Sequence, residues 1–117
     1  MKFLCVVFID EKKLAALPRD EFQALDRASI ANDEGMRGSG HLLAAQALEP
    51  VRAATTVRVR NRKVIVTDGP FSETKEQVGG FLLIEARDRD EAIALVSEVP
   101  VASYAAIEVR PVRELRG

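Results

Sequence analysis

Tryptophan is absent from this sequence of 117 residues, and cysteine, histidine and tyrosine each occur once. A single cysteine cannot form a disulfide within the chain, and one histidine with one cysteine cannot supply the four ligands of a structural zinc site. We therefore expect a reduced, cytoplasmic protein with no metal and no cofactor. With only five Phe and one Tyr, the chain also offers few aromatic rings on which nucleic-acid bases could stack.

The charges nearly cancel, because the chain has 17 Lys and Arg residues and 18 Asp and Glu residues. The overall positive field that draws a protein onto nucleic acid or an acidic membrane is therefore missing, and we do not expect nucleic acid as a partner. The longest apolar run, residues 3–9, is far shorter than the ~20 residues of a membrane helix. The charged residues 10–13 follow this run where a signal peptide would have a small-residue cleavage site, so we predict a strand and no membrane association.

The length fits one domain, which we place over residues 1–117. Alternation of apolar and polar residues predicts strands, and spacing of three to four predicts helices. The second helix begins with a capping box formed by Asp88 and Glu91, and Pro100 ends it. The predicted strands are 3–9, 41–47, a hairpin at 55–67 that turns at Asn61-Arg62, 81–84 and 106–110; the first helix runs from Arg19 to Glu34 and stops at Gly35.

This order gives two strand–helix–strand units around a β-hairpin, which is the ferredoxin-like α+β plan, a two-layer sandwich. Both helices then cover one face of the sheet. The strands at 3–9 and 81–84 are apolar on both sides, so the other face needs a cover as well. A homodimer that packs sheet against sheet would provide it.

The segment from Asp68 to Gly80 is the most unusual part of the chain. Gly69 and Pro70 predict a tight, stiff turn after the hairpin. Thr74 and Gln77 predict a single helical turn that holds the charged residues 73–76 in fixed directions, and the paired glycines 79–80 allow close backbone approach. On these local grounds alone, a structural interpretation is favoured, in which Asp68 is a turn residue and Glu73 and Lys75 form a solvated ion pair.

The motif Asp68-Gly69-Pro70-Phe71, with Glu73-Thr74-Lys75-Glu76 and Gly79-Gly80-Phe81 after it, resembles the YCII-related family and, within it, the DGPF domain group. Thr56-Val57-Arg58 and Val109-Arg110-Pro111-Val112 extend the resemblance over nearly the whole chain. It implies a ferredoxin-like subunit that pairs into a dimeric α+β barrel. A related branch includes a dehydrochlorinase of chlorinated hydroxyquinol breakdown, and some members are linked to extracytoplasmic-function sigma factors.

The resemblance also implies a His–Asp pair in the enzyme-like members, with the histidine on the first helix. This chain has no histidine there, and its only imidazole is His41, after the Gly38-Ser39-Gly40 loop. The pair therefore cannot be carried over. An ordinary pKa near 6.5 would suit His41 to acid–base work if it reached the cleft, whereas an exposed or structural role is the plain alternative.

Two functions from different classes follow. The first is a small-molecule lyase or isomerase in which Asp68 or Glu73 accepts a proton and Arg58 stabilises an oxyanion, with Lys75 and Tyr104 in the cleft. In the simpler interpretation, Arg58 only pairs with Asp68 or Glu73. The second function is a non-catalytic module that binds a ligand or a protein partner such as a sigma factor. Cys5 lies in the middle of an apolar strand, so we predict that it only packs.

Overall fold

The computed structural model describes residues Met1–Gly117 and has an α+β architecture, as the sequence predicts. A four-stranded antiparallel sheet has the order β2-β5-β1-β6, and β3 and β4 form a separate two-stranded sheet. The elements, with their bounds, are β1 Lys2–Ile9, α1 Glu11–Ala15, α2 Arg19–Gly38, β2 Leu42–Ala47, β3 Thr55–Arg60, β4 Lys63–Asp68, β5 Gln77–Glu85, α3 Arg89–Ser97 and β6 Ala105–Pro111. Short 3₁₀ turns occupy Val51–Ala53 and Pro100–Tyr104.

One face of the large sheet forms the core with the helices. Phe3, Cys5 and Val7 alternate along β1 on this face and are buried. The other buried residues of the cluster are Met36, Leu42, Leu82, Ile84, Ala86, Ala92, Val96 and Val99. Because α2 and α3 both contribute to this single cluster, they pack on the same side of the sheet.

The opposite face of the sheet also carries large apolar side chains. Leu4 lies beside Leu83, and Val6 beside Phe81, in the register of β1 and β5. These four side chains and Phe8 are only half-buried. Within the single chain, β1 is therefore buried on one face and only half-buried on the other, because both helices lie on the same side of the sheet.

Two predicted boundaries differ from the structure by four residues, and several others by one. Helix α2 runs through Gly35 to Gly38. It ends in a Schellman arrangement, in which the Gly40 N–H donates to the Arg37 carbonyl and the His41 N–H to the Met36 carbonyl. Strand β5 begins at Gln77, before the two glycines that we expected to precede it, because β1 and β2 pair with it there.

The capping box at the start of α3 is present in a modified form. The Asp88 side chain accepts from the Glu91 N–H at 2.9 Å, and the Glu91 side chain accepts from the Arg87 N–H at 2.9 Å. The hydrogen bond from the Glu91 backbone is the main reason that the pKa of Asp88 lies below its ordinary value. The short helix α1, which the sequence analysis missed, has Asp10 as its N-cap.

The hairpin turns at Asn61-Arg62, as predicted. Both residues have positive φ, 50° and 65°, which is the geometry of a two-residue type I′ turn. Asn tolerates this conformation, whereas Arg at the second position is strained.

Replacing Arg62 by glycine is expected to raise the free energy of unfolding by about 0.5 kcal/mol, since relief of strain exceeds the added entropy of the unfolded chain. Urea denaturation measures this change. Arg60→Gly is the matched control, because Arg60 lies in β3 with ordinary backbone geometry, and it is expected to be destabilising. Equal destabilisation by both variants would contradict the interpretation.

Candidate ligand-binding cleft

A cleft of about 690 Å³ opens where three segments distant in sequence meet. They are the end of β1 with the start of α1, the 3₁₀ turn at Val51–Ala53, and the loop from Gly69 to Gln77. A smaller cleft of about 360 Å³ adjoins it and shares Asp10 and Lys75. The charged residues that line the larger cleft are Asp10, Glu11, Lys12, Arg52, Glu73 and Lys75.

Asp10 lies between the two clefts and is held firmly. Its carboxylate accepts from the backbone N–H groups of Lys12 at 3.1 Å and Lys13 at 3.4 Å, as an N-cap does. Its side chain is 12% exposed, and the Lys75 ammonium lies 4.0 Å from Oδ2. Asp10 therefore presents a fixed negative charge, while Lys75 stays mostly in solvent.

Glu11, the first residue of α1, connects this helix to the 3₁₀ turn at Val51–Ala53. Its Oε2 accepts from the backbone N–H of Val51 at 2.9 Å, across 40 residues of sequence. This hydrogen bond fixes the position of the backbone next to Arg52, whose side chain is exposed at the wall of the cleft.

The loop that carries Glu73 and Lys75 is held by side-chain hydrogen bonds. The Thr74 hydroxyl donates to the Glu76 carbonyl at 2.6 Å, and the Gln77 amide donates to the carbonyls of Ser72 and Thr74. No helical turn forms here, contrary to the prediction from Thr74 and Gln77, because their side chains bind carbonyls and cap no N–H group. The loop is nonetheless ordered by these contacts, and it directs Glu73 and Lys75 to the cleft.

Three of the predicted site residues line these clefts. Glu73 and Lys75 line the larger one, and Lys75 and Tyr104 line the smaller one. The ion pair between Glu73 and Lys75, which the sequence left as an alternative, does not form; the Lys75 ammonium lies 4.0 Å from Asp10 instead. Glu73 has no ion-pair partner, so its carboxylate is available to a ligand.

Asp68 and Arg58 line neither cleft. Asp68 is the last residue of β4, opposite Thr55, and is exposed. Arg58 pairs with neither Asp68 nor Glu73, because its guanidinium lies over the Phe71 ring, 5.2 Å from the centroid. Asp68 therefore belongs to the base of the hairpin, and Arg58 to the middle of β3.

The motif around Gly69 closes this base. Gly69, with φ of 101°, donates its N–H to the Ala54 carbonyl at 2.8 Å. Its own carbonyl accepts from the Thr56 hydroxyl, also at 2.8 Å. The chain bends at Gly69, but no hydrogen-bonded turn forms at Gly69-Pro70; the two hydrogen bonds extend the hairpin by one residue before the cleft loop begins.

His41 is far from the cleft. Its Nδ1 lies 2.9 Å from the carbonyl oxygen of Glu85 and 4.0 Å from the Glu91 carboxylate, at the end of β5. The cleft loop joins the beginning of the same strand, and nine extended residues span roughly 30 Å. Within one chain, His41 therefore does not approach Glu73 or Asp68, and the alternative of a structural role agrees with its contacts.

Asp10, Glu11 and Arg52 were missed as site residues by the sequence analysis. A signal for Asp10 exists, because a short acid directly after a buried strand and before Glu is typical of an N-cap at a sheet edge. Nothing in the sequence brings Arg52 to the same place. No group of three or more His, Cys, Asp or Glu side chains is placed to hold a metal ion.

No helix of the structure combines the length and the apolar character that crossing a membrane requires.

Comparison with known proteins places the whole chain in a family. An uncharacterised protein of Rhizobium meliloti (strain 1021) is 34% identical over 113 residues, which cover 95% of this chain and 91% of that protein. A dehydrochlorinase of 5-chloro-2-hydroxyhydroquinone from Burkholderia phenoliruptrix AC1100, solved with 2,5-dihydroxybenzoquinone, has the same fold with a TM-score of 0.55. It is 21% identical, over 97% of this chain and 94% of its own. The YCII-related domain matches residues 1–116, and the chain belongs to the YCII-related family.

Proposed function

We propose that the cleft binds a small organic anion and acts on it as a lyase or isomerase, with Glu73 as the proton acceptor. The observation that carries this proposal is the Glu73 carboxylate, which faces the cleft without an ion-pair partner among several cationic side chains. An unpaired carboxylate within reach of a bound molecule is what a general base requires.

Three acidic and three basic side chains line the cleft, and whether they favour an anionic ligand depends on which of them are already bound to other groups. Asp10 and Glu11 also line it, but both carboxylates already accept hydrogen bonds from backbone N–H groups. Lys12 and Arg52 have no carboxylate within 4.0 Å, and Lys75 has only the long contact to Asp10. These cations remain available for a phenolate, enolate or carboxylate oxygen, which Arg can bind at two points.

The chemistry follows from this placement. In an elimination, Glu73 would take a proton from a carbon atom next to a carbonyl, the C–H electron pair would form the new double bond, and chloride would leave the neighbouring carbon with its own pair. In an isomerisation, the same carboxyl would return the proton elsewhere. Arg52 or Lys75 would stabilise the oxyanion that develops meanwhile.

Glu73→Gln is expected to lower turnover at least tenfold, because the amide cannot accept the proton. The related dehydrochlorinase supplies the first probes: release of chloride from 5-chloro-2-hydroxyhydroquinone measures turnover, and calorimetry with 2,5-dihydroxybenzoquinone measures binding. Binding is expected to survive Glu73→Gln and to weaken in Arg52→Met.

The matched control for this experiment is Asp68→Asn. Asp68 precedes the same loop but does not line the cleft, so this variant is expected to keep both turnover and binding. If Asp68→Asn abolished turnover while Glu73→Gln did not, the assignment of the base would be wrong.

A second function is favoured by the position of His41. Helix α2 contains no histidine, and the only imidazole lies at the far end of β5, so the His–Asp pair of enzyme-like relatives has no counterpart in one chain. A non-catalytic module that binds the same ligand class, or associates with an extracytoplasmic-function sigma factor, requires no such pair. Binding of the benzoquinone without chloride release, or a stoichiometric sigma factor that co-purifies, would support the module over the enzyme.

We also propose that two ferredoxin-like subunits form a homodimer, the dimeric α+β barrel implied by the family resemblance. The half-buried apolar face of the sheet, with Leu4, Val6 and Phe81, supports this proposal. Light scattering is expected to give twice the 12.8 kDa of one chain. A monomer at micromolar concentration would contradict it.

A further inference from the structure

The β3–β4 hairpin, which we call the arm, leaves its apolar side uncovered. Val57 lies opposite Val66, and Val59 opposite Val64, so the four valines share one face of the arm. They are between 57% and 66% exposed. We call this surface the valine face.

The arm is isolated from the rest of its own chain. Its two strands make their extensive contacts only with each other, and every residue of β4 is exposed. An isolated two-stranded hairpin is marginally stable in water and needs a third strand or a packed face. Within one chain, this requirement is met in part by the hydrogen bonds of Gly69 at the base of the arm and by the contact of Arg58 with Phe71, which lies on the face opposite the valines.

The two faces of the arm differ in character. The opposite face carries Arg58, Arg60 and Lys63, with Thr56 and Thr67, and Ile65 is its one large aliphatic residue. Charge of this kind keeps a surface solvated and discourages association through it. Any burial of the arm should therefore involve the valine face.

A second copy of the chain fits this face best. Each chain has two uncovered apolar surfaces, the valine face and the outer face of the large sheet, and a two-fold dimer can cover both at once because it buries the same patches on each subunit. The four valines present about 350 Å² on each arm, which is the size of the largest apolar patch on a typical monomer, and such patches are often functional. Two arms and the surfaces that they cover would remove about 1,400 Å² from water, and stable interfaces bury roughly 1,200–2,000 Å².

We infer that the valine face of each arm is buried against a second copy of this chain. The inference rests on the homodimer proposed above and adds the arm to its interface. Each subunit then supplies the packing that the arm of the other lacks, and the basic face of the arm stays in solvent.

Val64→Glu tests the inference, with Ile65→Glu as its matched control. The two positions are neighbours on β4 and point to opposite faces of the arm. Val64→Glu is expected to raise the dissociation constant of the dimer at least tenfold by light scattering or sedimentation over a dilution series. Ile65→Glu, which places a carboxylate opposite Arg58, is expected to leave it unchanged.

A second pair of variants keeps the test valid if Val64→Glu unfolds the arm. Cys5 is fully buried, so Val64→Cys and Ile65→Cys each add one accessible thiol. In the dimer, the thiol at 64 is expected to react at least tenfold more slowly with a disulfide reagent than the thiol at 65. Dilution to the monomer should make the two rates equal.

The outcomes separate the two proposals. A wild-type monomer would overturn both the homodimer and the role of the arm. A wild-type dimer with equal thiol rates at 64 and 65 would overturn the role of the arm alone, and the sheet-to-sheet dimer would stand.

Discussion

Replacing Gly80 by alanine is expected to lower the free energy of unfolding by about 3 kcal/mol. A Cβ at this position would lie 2.8 Å from the carbonyl oxygen of Gln46 and 3.4 Å from the Cα of Ala47, both in the backbone of β2. Gly80 is paired with Ala47 in the sheet and with Val7 on its other side. Neither neighbouring strand can move away without losing hydrogen bonds of the sheet. The variant therefore either loses some of these hydrogen bonds or keeps a strained contact, and both lower its stability.

Gly79→Ala is the matched control for this prediction. The three atoms nearest to its added Cβ all belong to the Ile9 side chain, with Cγ1 at 2.7 Å, and none to a backbone. Ile9 would have to change rotamer, which its β-branch restricts, so we expect a cost of about 2 kcal/mol, still below that of Gly80→Ala. Urea denaturation measures both variants, and equal costs for the two glycines would show that the backbone contact of Gly80 is not decisive.

These glycines also show where sequence-based prediction of the fold succeeds and where it stops. The hairpin and the start of α3 were predicted because local chemistry determines them: Asn61 tolerates positive φ, and Asp88 caps the helix. The first half of β5 was missed because glycine disfavours strands. This segment is a strand because it pairs with β1 and β2, which are distant in sequence. The local pattern of apolar and polar residues does not contain that information.

The candidate site was predicted in part for the same reason. Glu73 and Lys75 were found because they lie in one unusual segment that also lines the cleft. Asp10 and Arg52 come from segments that only the fold brings together. The position of Asp68 could not be predicted, because its motif belongs to two parts of the structure. Asp68 lies at the base of the arm, whereas Gly69 and Pro70, the next two residues, line the cleft.

The stability of the protein is expected to fall by about 2 kcal/mol between pH 9 and pH 11 because of Cys5. Burial raises the pKa of this thiol from 9.0 to about 11. Below pH 9 the thiol is protonated in the folded and the unfolded chain, so it adds no pH dependence. Between the two values the unfolded chain releases the proton and the folded chain keeps it, which favours unfolding as the pH rises.

Above about pH 11 the folded chain also ionises, and the contribution of Cys5 to the slope ends. Other groups titrate in this range, so the measurement is a comparison of urea denaturation for the wild type and Cys5→Ala across pH 8 to 11. The alanine variant starts from a lower stability, since it leaves a cavity beside Phe3 in the core. Its stability should nevertheless decline less with pH, and the two curves should converge by about the predicted amount. Parallel curves would mean that the thiol at the centre of β1 is in contact with water, contrary to its full burial.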